Sequence, residues 1–185
     1  LSDWNHGNAH FLRGLVSELV ARGHRVRSYE PADAWSVENL LCERGPSALE
    51  ETQRAYPALE PVRYDLRSLD VEESVQDADC VLVHEWTAPS LVAALGKIRA
   101  RGGRFRLLFH DTHHRSVTAK AEMEQFDLSG FDGVLAFGEC IRELYLRHGW
   151  ARRVWTFHEA ADVRRFRPRT LEGNAPKEQD GPIEH

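Results

Sequence analysis

The sequence is poor in cysteine, has no long apolar run and carries no excess of basic charge. Its three cysteines, Cys42, Cys80 and Cys140, lie far apart without CxxC spacing, which is typical of reduced thiols in a cytoplasmic protein. No segment approaches the roughly 20 apolar residues of a membrane span, and the first residues lack the pattern of a signal peptide. A formal net charge of −5 is unsuited to nucleic-acid backbones. We therefore expect a cytoplasmic protein with no membrane span and no nucleic-acid partner.

Short apolar runs alternate with segments of helical periodicity along most of the chain. Such alternation is typical of a parallel sheet covered on both faces, so residues 1–168 are predicted to form one doubly wound, Rossmann-like α/β domain. Such a domain normally begins with a strand, whereas Leu1 directly precedes a helix, and we expect the first strand to be mostly absent. Residues 169–185 are rich in proline, glycine and charge, and are predicted to be a linker or a disordered tail.

Periodicity and turn residues place the individual elements. Strands are predicted at 24–29, 62–65, 80–83, 105–109, 133–137 and 154–157. Helices are predicted at 11–20, in two pieces within 33–57, after Asp70, and at 89–101, 118–126 and 139–148. Ser47 and Glu50 are predicted to form a capping box at the start of the second piece. Cys80, which opens an apolar run, is expected to be buried.

Polar side chains follow several of the predicted strands. Ligands of an open parallel sheet bind beyond the carboxyl ends of its strands. The residues at these ends and around the first helix that we expect to bind substrate are Asn5, Gly7, His10, His84, Glu85, Trp86, His113, Glu139, His158 and Glu159. Trp86 also offers an aromatic surface on which a sugar can stack.

His110 and Asp111, which directly follow an apolar strand, are the expected catalytic residues. A carboxylate that fixes the tautomer of an imidazole makes the imidazole a usable base near neutral pH. Neighbouring strand residues point in opposite directions, so the alternative is that Asp111 caps the following loop. Together with His113 and His114, the pair also matches the ligand chemistry of zinc or iron, although the HExxH spacing is lacking. A metal-dependent hydrolase is therefore an alternative, whereas the main interpretation includes no metal and no cofactor.

Several segments, in this order, resemble the N-terminal domain of retaining GT-B glycosyltransferases of the family-4 type. Residues 5–14 (NHGNAHFLRG) and 19–26 (LVARGHRV) are similar to the family's opening glycine loop, helix and following strand. Residues 109–111 (FHD) are similar to its strand-end His-Asp, and residues 137–139 (FGE) to its carboxylate before a helix. Residues 154–168 (VWTFHEAADVRRFRP) are similar to the segment that leads into the second domain, with HEAAD replacing the usual Asn-Gly-Val-Asp.

The resemblance implies the acceptor-binding half of an enzyme that transfers a sugar from a nucleotide-sugar donor to an acceptor. In that family a second Rossmann-like domain binds most of the donor, so this chain alone is expected to be inactive. Gly7, His110 and Glu139 are expected to face the cleft between the domains, with His110 near the transferred sugar and Asp111 orienting its loop. A non-catalytic carbohydrate- or partner-binding module and a sugar-nucleotide epimerase are further alternatives, because a fold does not determine a function.

Overall fold

A computed structural model describes residues 7–113 and 115–168 of the chain. The helices of these residues are α1 (Gly7–Ala21), α2 (Trp35–Arg44), α3 (Ser47–Ala55), α4 (Val71–Val75), α5 (Pro89–Ala100), α6 (Arg115–Thr118), α7 (Lys120–Met123) and α8 (Gly138–His148). The strands are β1 (Tyr29–Pro31), β2 (Val62–Tyr64), β3 (Cys80–His84), β4 (Arg106–Asp111), β5 (Gly133–Ala136) and β6 (Val154–Thr156). The predicted tail at 169–185 and the residues before Gly7 lie outside these ranges. None of the helices within them is long and apolar enough to cross a membrane.

The strands pair in parallel, which confirms the predicted α/β class. One sheet has the order β3-β4-β5-β6, with Val83 opposite Phe109, Phe109 opposite Val134 and Val134 opposite Val154. Strands β1 and β2 form a separate two-stranded parallel sheet. A single sheet was expected, but among the described residues no ladder joins β1 to β3, which leaves β3 at an edge.

The apolar core lies on one face of the four-stranded sheet. Because side chains alternate along a strand, the in-register residues Val83, Phe109, Val134 and Val154 share this face, and none is more than 7% exposed. Helices α4, α5, α7 and α8 pack their apolar side chains against it through Val75, Leu91, Val92, Leu95, Met123, Ile141 and Tyr145.

The opposite face of the sheet is less well covered than the sequence predicts. Leu82 on β3 is 38% exposed and Trp155 on β6 is 46% exposed. Helix α1 meets this face at its carboxyl end, where Phe11 contacts the His110 ring. Leu82 and Trp155 lie on the edge strands, whereas Leu108 and Leu135 on the inner strands are partly buried, so this face is covered less completely at its edges than the sequence predicts.

Several local predictions need correction. The strand expected at 24–29 is observed at Tyr29–Pro31, beside β2. The capping box is wrong, because Pro46 precedes the first turn of α3 and no side chain caps it. The helix expected at 118–126 is two short helices separated by Ala119. Cys80 is exposed rather than buried, since β3 lies at the sheet edge.

Other local signals act as predicted. The Asp70 carboxylate accepts a hydrogen bond of 2.9 Å from the Glu73 backbone N–H and caps α4. Helix α8 ends at Gly149, whose φ of 67° is in the left-handed region that favours glycine.

Gly130 approaches α5 so closely that a Cβ atom there would lie 2.3 Å from the Gly96 carbonyl oxygen. Backbone contact of this kind fixes the loop before β5 against α5.

Candidate functional site

The carboxyl ends of β3 and β4 bring His84 and His110 together. The two residues are in register on neighbouring parallel strands, and their ring centroids lie 5.3 Å apart. Phe11 of α1 and Phe157 after β6 flank the His110 ring at centroid distances of 5.8 and 5.7 Å. Four elements that are distant in sequence therefore meet around one imidazole.

His110 is a buried polar side chain with unusual surroundings. It has no exposed surface, and neither Nδ1 nor Nε2 forms a hydrogen bond within the described part of the chain. Burial lowers the pKa of His110 to about 4, and the opposing attraction of Glu85 is smaller. The ring is therefore neutral at pH 7, with one nitrogen able to donate and the other able to accept.

Asp111 points to the other face of the sheet and does not pair with His110. Its Oδ2 accepts a hydrogen bond of 2.8 Å from the Tyr145 hydroxyl, and its Oδ1 accepts one of 3.0 Å from the His113 backbone N–H. The second bond caps the loop after β4, which is the alternative arrangement that the sequence left open. Burial, followed by the charge of Glu85, raises the pKa of Asp111.

Glu85 ties the ends of β3 and β4 together from inside the protein. Its side chain is fully buried, and its Oε1 accepts hydrogen bonds of 2.9 Å from both the backbone N–H and the hydroxyl of Thr112. Its Oε2 lies 3.1 Å from Nη2 of Arg115, which also donates to the Glu85 carbonyl oxygen at 2.7 Å. These bonds make Glu85 part of the framework of the site rather than a group open to a ligand.

Arg115 is a residue of this edge that sequence reasoning missed. It opens the four-residue helix α6, directly after the histidine-rich loop. A basic residue following a cluster of histidines and a carboxylate is a weak signal, because surface arginines are common. Only the fold shows that its buried partner lies thirty positions earlier, at Glu85.

The ends of β5 and β6 carry the remaining predicted residues. Glu139 is exposed and accepts a hydrogen bond of 2.7 Å from the Thr156 hydroxyl, which lowers the pKa of Glu139 and links α8 to β6. His158 is exposed beside Phe137. Glu159 is partly buried, its Oε1 has no hydrogen-bond partner within the described ranges, and burial raises its pKa. The charge of Glu85 contributes to that increase.

The residues predicted around α1 are placed less centrally. Gly7 is exposed at the first position of the helix, and Asn5 lies outside the described residues. His10 contacts Phe166 and Arg13. The Asn8 side chain donates a hydrogen bond to the Thr112 hydroxyl, which fixes the first turn of α1 over the carboxyl edge of the sheet.

The geometry gives no support for a metal centre. Among the described residues, which exclude His114, no group of three or more His, Cys, Asp or Glu side chains is arranged to bind a metal ion.

Comparison of the chain with protein-family models, with curated proteins and with solved structures found no match.

Proposed function

We propose that the chain is the acceptor-binding half of a nucleotide-sugar-dependent glycosyltransferase of the two-domain, Rossmann-like GT-B type. The observation that carries this proposal is the His110 imidazole, which is buried at the carboxyl edge of a parallel sheet without a hydrogen bond within the described residues. An unsatisfied buried polar group costs about 1–3 kcal/mol. At the edge where parallel sheets bind ligands, such a group is best explained by a ligand that satisfies it.

The protonation of the site favours an uncharged, hydroxyl-bearing ligand. Because the pKa of His110 is about 4, its neutral ring offers one donor and one acceptor, and a sugar hydroxyl can both accept and donate. The neighbouring carboxyl group of Glu85 disfavours a phosphate at the same place. We therefore assign this edge to an acceptor or to the transferred sugar, and the donor diphosphate to a second domain outside this chain. The chain alone is then inactive, and it needs no metal and no cofactor of its own.

Access to His110 requires a movement of α1. The Phe11 ring covers the imidazole, and α1 is held in place by the bond between Asn8 and Thr112 and by an ion pair between Glu18 and Arg164. These are single polar contacts near the surface, which stabilise a helix by about 1 kcal/mol or less each. Displacing the first turn of α1 also exposes the buried surface of Ala9 and Phe11, so a ligand must make contacts that offset both losses.

The second candidate is a non-catalytic carbohydrate-binding module. It is favoured by Trp86, whose indole is 53% exposed at the same edge of the sheet. Both candidates bind sugars, and sugar transfer by the complete protein distinguishes them. Under both candidate functions we propose a cytoplasmic location, where the exposed thiols of Cys42, Cys80 and Cys140 stay reduced.

The test replaces His110 with phenylalanine, which keeps the ring and removes its nitrogens. In the full-length protein, His110→Phe should abolish sugar transfer while its circular dichroism remains unchanged. In the isolated ¹⁵N-labelled chain, titration with methyl pyranosides should shift the signals of residues at the ends of β3 and β4. His110→Phe should remove these shifts. The control is His148→Gln, an exposed position at the end of α8. Unchanged transfer by His110→Phe contradicts the proposal.

A further inference from the structure

Trp86 is an exposed aromatic side chain that is held from one side. It lies in the turn after β3 and keeps 53% of its surface exposed. The guanidinium carbon of Arg115 lies over its ring, 4.1 Å from the centroid. The His113 ring meets it at an interplanar angle of 67° with the centroids 5.3 Å apart. One face of the indole is thus covered by Arg115, and the exposed surface belongs to the rest of the ring.

The covering arginine is itself fixed. Its side chain is only 15% exposed and is bonded to Glu85, whose side chain is fully buried. The 2.7 Å bond to the Glu85 carbonyl oxygen joins Arg115 directly to the backbone between β3 and Trp86. A planar guanidinium in bonds of this kind has little freedom to rotate. The orientation of Trp86 is therefore set by the buried cluster beneath it.

We propose that the exposed surface of the Trp86 indole is a subsite for the C–H face of a pyranose ring, and that Arg115 is its positioning residue. This inference rests on the proposed function and adds the class of acceptor to it. An aromatic ring that is already held in place loses little entropy when a ligand stacks on it. The positive charge of Arg115 is balanced by Glu85, so the platform suits an uncharged ring rather than a phosphate.

The position of Trp86 connects the subsite with His110. The backbone N–H of Trp86 lies 3.5 Å from Nδ1 of His84, and the His84 ring contacts the His110 ring. A sugar stacked on Trp86 therefore lies at the same edge as the buried imidazole, on the adjoining strand.

The experiment follows the indole N–H signals of the ¹⁵N-labelled chain during titration with methyl β-D-galactopyranoside and methyl β-D-glucopyranoside. Sorbitol, which has no ring face, and adenosine, which has a planar aromatic face, are the comparison probes. We expect a saturable shift of the Trp86 signal with at least one pyranoside and none with sorbitol. The Trp86 signal is assigned with Trp86→Phe, and Trp35, which is 66% exposed on α2, is the internal control.

The role of Arg115 is tested with Arg115→Met, which keeps a long side chain but removes the charge and the planar contact. We expect about a fivefold weaker pyranoside affinity, the size of a lost aromatic-stacking contribution near 1 kcal/mol. The unliganded variant should also show a broader Trp86 signal and stronger acrylamide quenching, which a role in stability alone does not produce. If Arg115→Met unfolds, Arg115→Lys retains the charge without the planar stack and should show the same loss to a smaller degree.

The outcomes separate this inference from the proposed function. If pyranosides shift the signals around His110 but not that of Trp86, the stacking subsite is refuted and the acceptor-binding proposal stands. If adenosine shifts Trp86 and the pyranosides do not, the assigned ligand class is wrong. If no probe shifts either group of signals at 50 mM, the subsite and the proposed function are both contradicted.

Discussion

Glu85 and Asp111 lie at the ends of neighbouring strands with interacting carboxyl groups, and neither side chain has exposed surface. Two buried carboxylates in contact cannot both ionise without a large electrostatic cost. Arg115 stabilises a negative charge on Glu85, whereas Asp111 receives hydrogen bonds only from Tyr145 and His113 among the described residues. We conclude that burial and the neighbouring carboxyl group raise the pKa of Asp111, so that it keeps its proton to higher pH than an ordinary aspartate.

Asp111→Asn should change how stability depends on pH. Because the folded-state pKa of Asp111 is raised, the folded chain retains a proton that the unfolded chain loses above about pH 4. The wild type therefore loses stability as pH rises above that value, until Asp111 ionises in the folded state as well. Asparagine does not titrate, so the stability of the variant relative to wild type should increase from pH 5 to pH 8 in urea unfolding.

The control for Asp111→Asn is Asp33→Asn, at an exposed position after β1. This variant should follow the wild-type stability profile between pH 5 and pH 8. Parallel profiles for Asp111→Asn and wild type would show that Asp111 is ionised in the folded protein, contrary to our assignment.

His110→Phe should have the opposite effect in acid. The folded-state pKa of about 4 lies below the ordinary value near 6.5, so stability is present above pH 6.5 and is lost as pH falls towards 4. The difference between these two pKa values corresponds to a loss of unfolding free energy of about 3 kcal/mol at most. The variant lacks this loss, and its unfolding free energy relative to wild type should rise as the pH falls from 7.5 to 4. A constant difference would indicate that His110 titrates normally.

Glu85→Gln should destabilise the protein by about 3 kcal/mol, because it removes the buried partner charge of the largely buried Arg115. The matched control is Glu122→Gln. Glu122 also contacts Arg115, at 3.6 Å, but its side chain is 59% exposed, so its removal should change stability by less than about 1 kcal/mol. Denaturant unfolding at pH 7 measures both, and equal losses would contradict the framework role of Glu85.

Gly130→Ala should destabilise the protein by about 2 kcal/mol, because its Cβ would lie 2.3 Å from the Gly96 carbonyl oxygen. Backbone atoms on both sides must shift to accommodate it. Gly96→Ala is the matched control at the same contact, since its Cβ would meet the nearest atom at 3.7 Å. That substitution also replaces glycine within α5, so we expect it to be neutral or stabilising. A similar result for both variants in thermal unfolding would argue against the close approach.

The order of helices and strands was determined by local patterns. Periodicity, the glycine after α8 and the Asp70 cap act over a few residues, so the sequence alone predicted the α/β class and most element positions. Predictions failed where longer-range contacts decide. Pairing with β2 sets the extent of β1, and the position of β3 at an edge exposes Cys80.

The site was predictable in part for the same reason. The rule that the carboxyl ends of parallel strands share one edge of the sheet predicted that His84, His110 and Trp86 lie at the same edge, whereas their role towards a ligand stays a prediction. The sequence could not show that Asp111 accepts a hydrogen bond from Tyr145 rather than pairing with His110. It also could not show that the Glu85 carboxylate accepts hydrogen bonds from Thr112 and Arg115. Those partners are separated by tens of residues. Whether a polar side chain is open to a ligand depends on burial and neighbouring charge, which arise only when the strands and helices pack together.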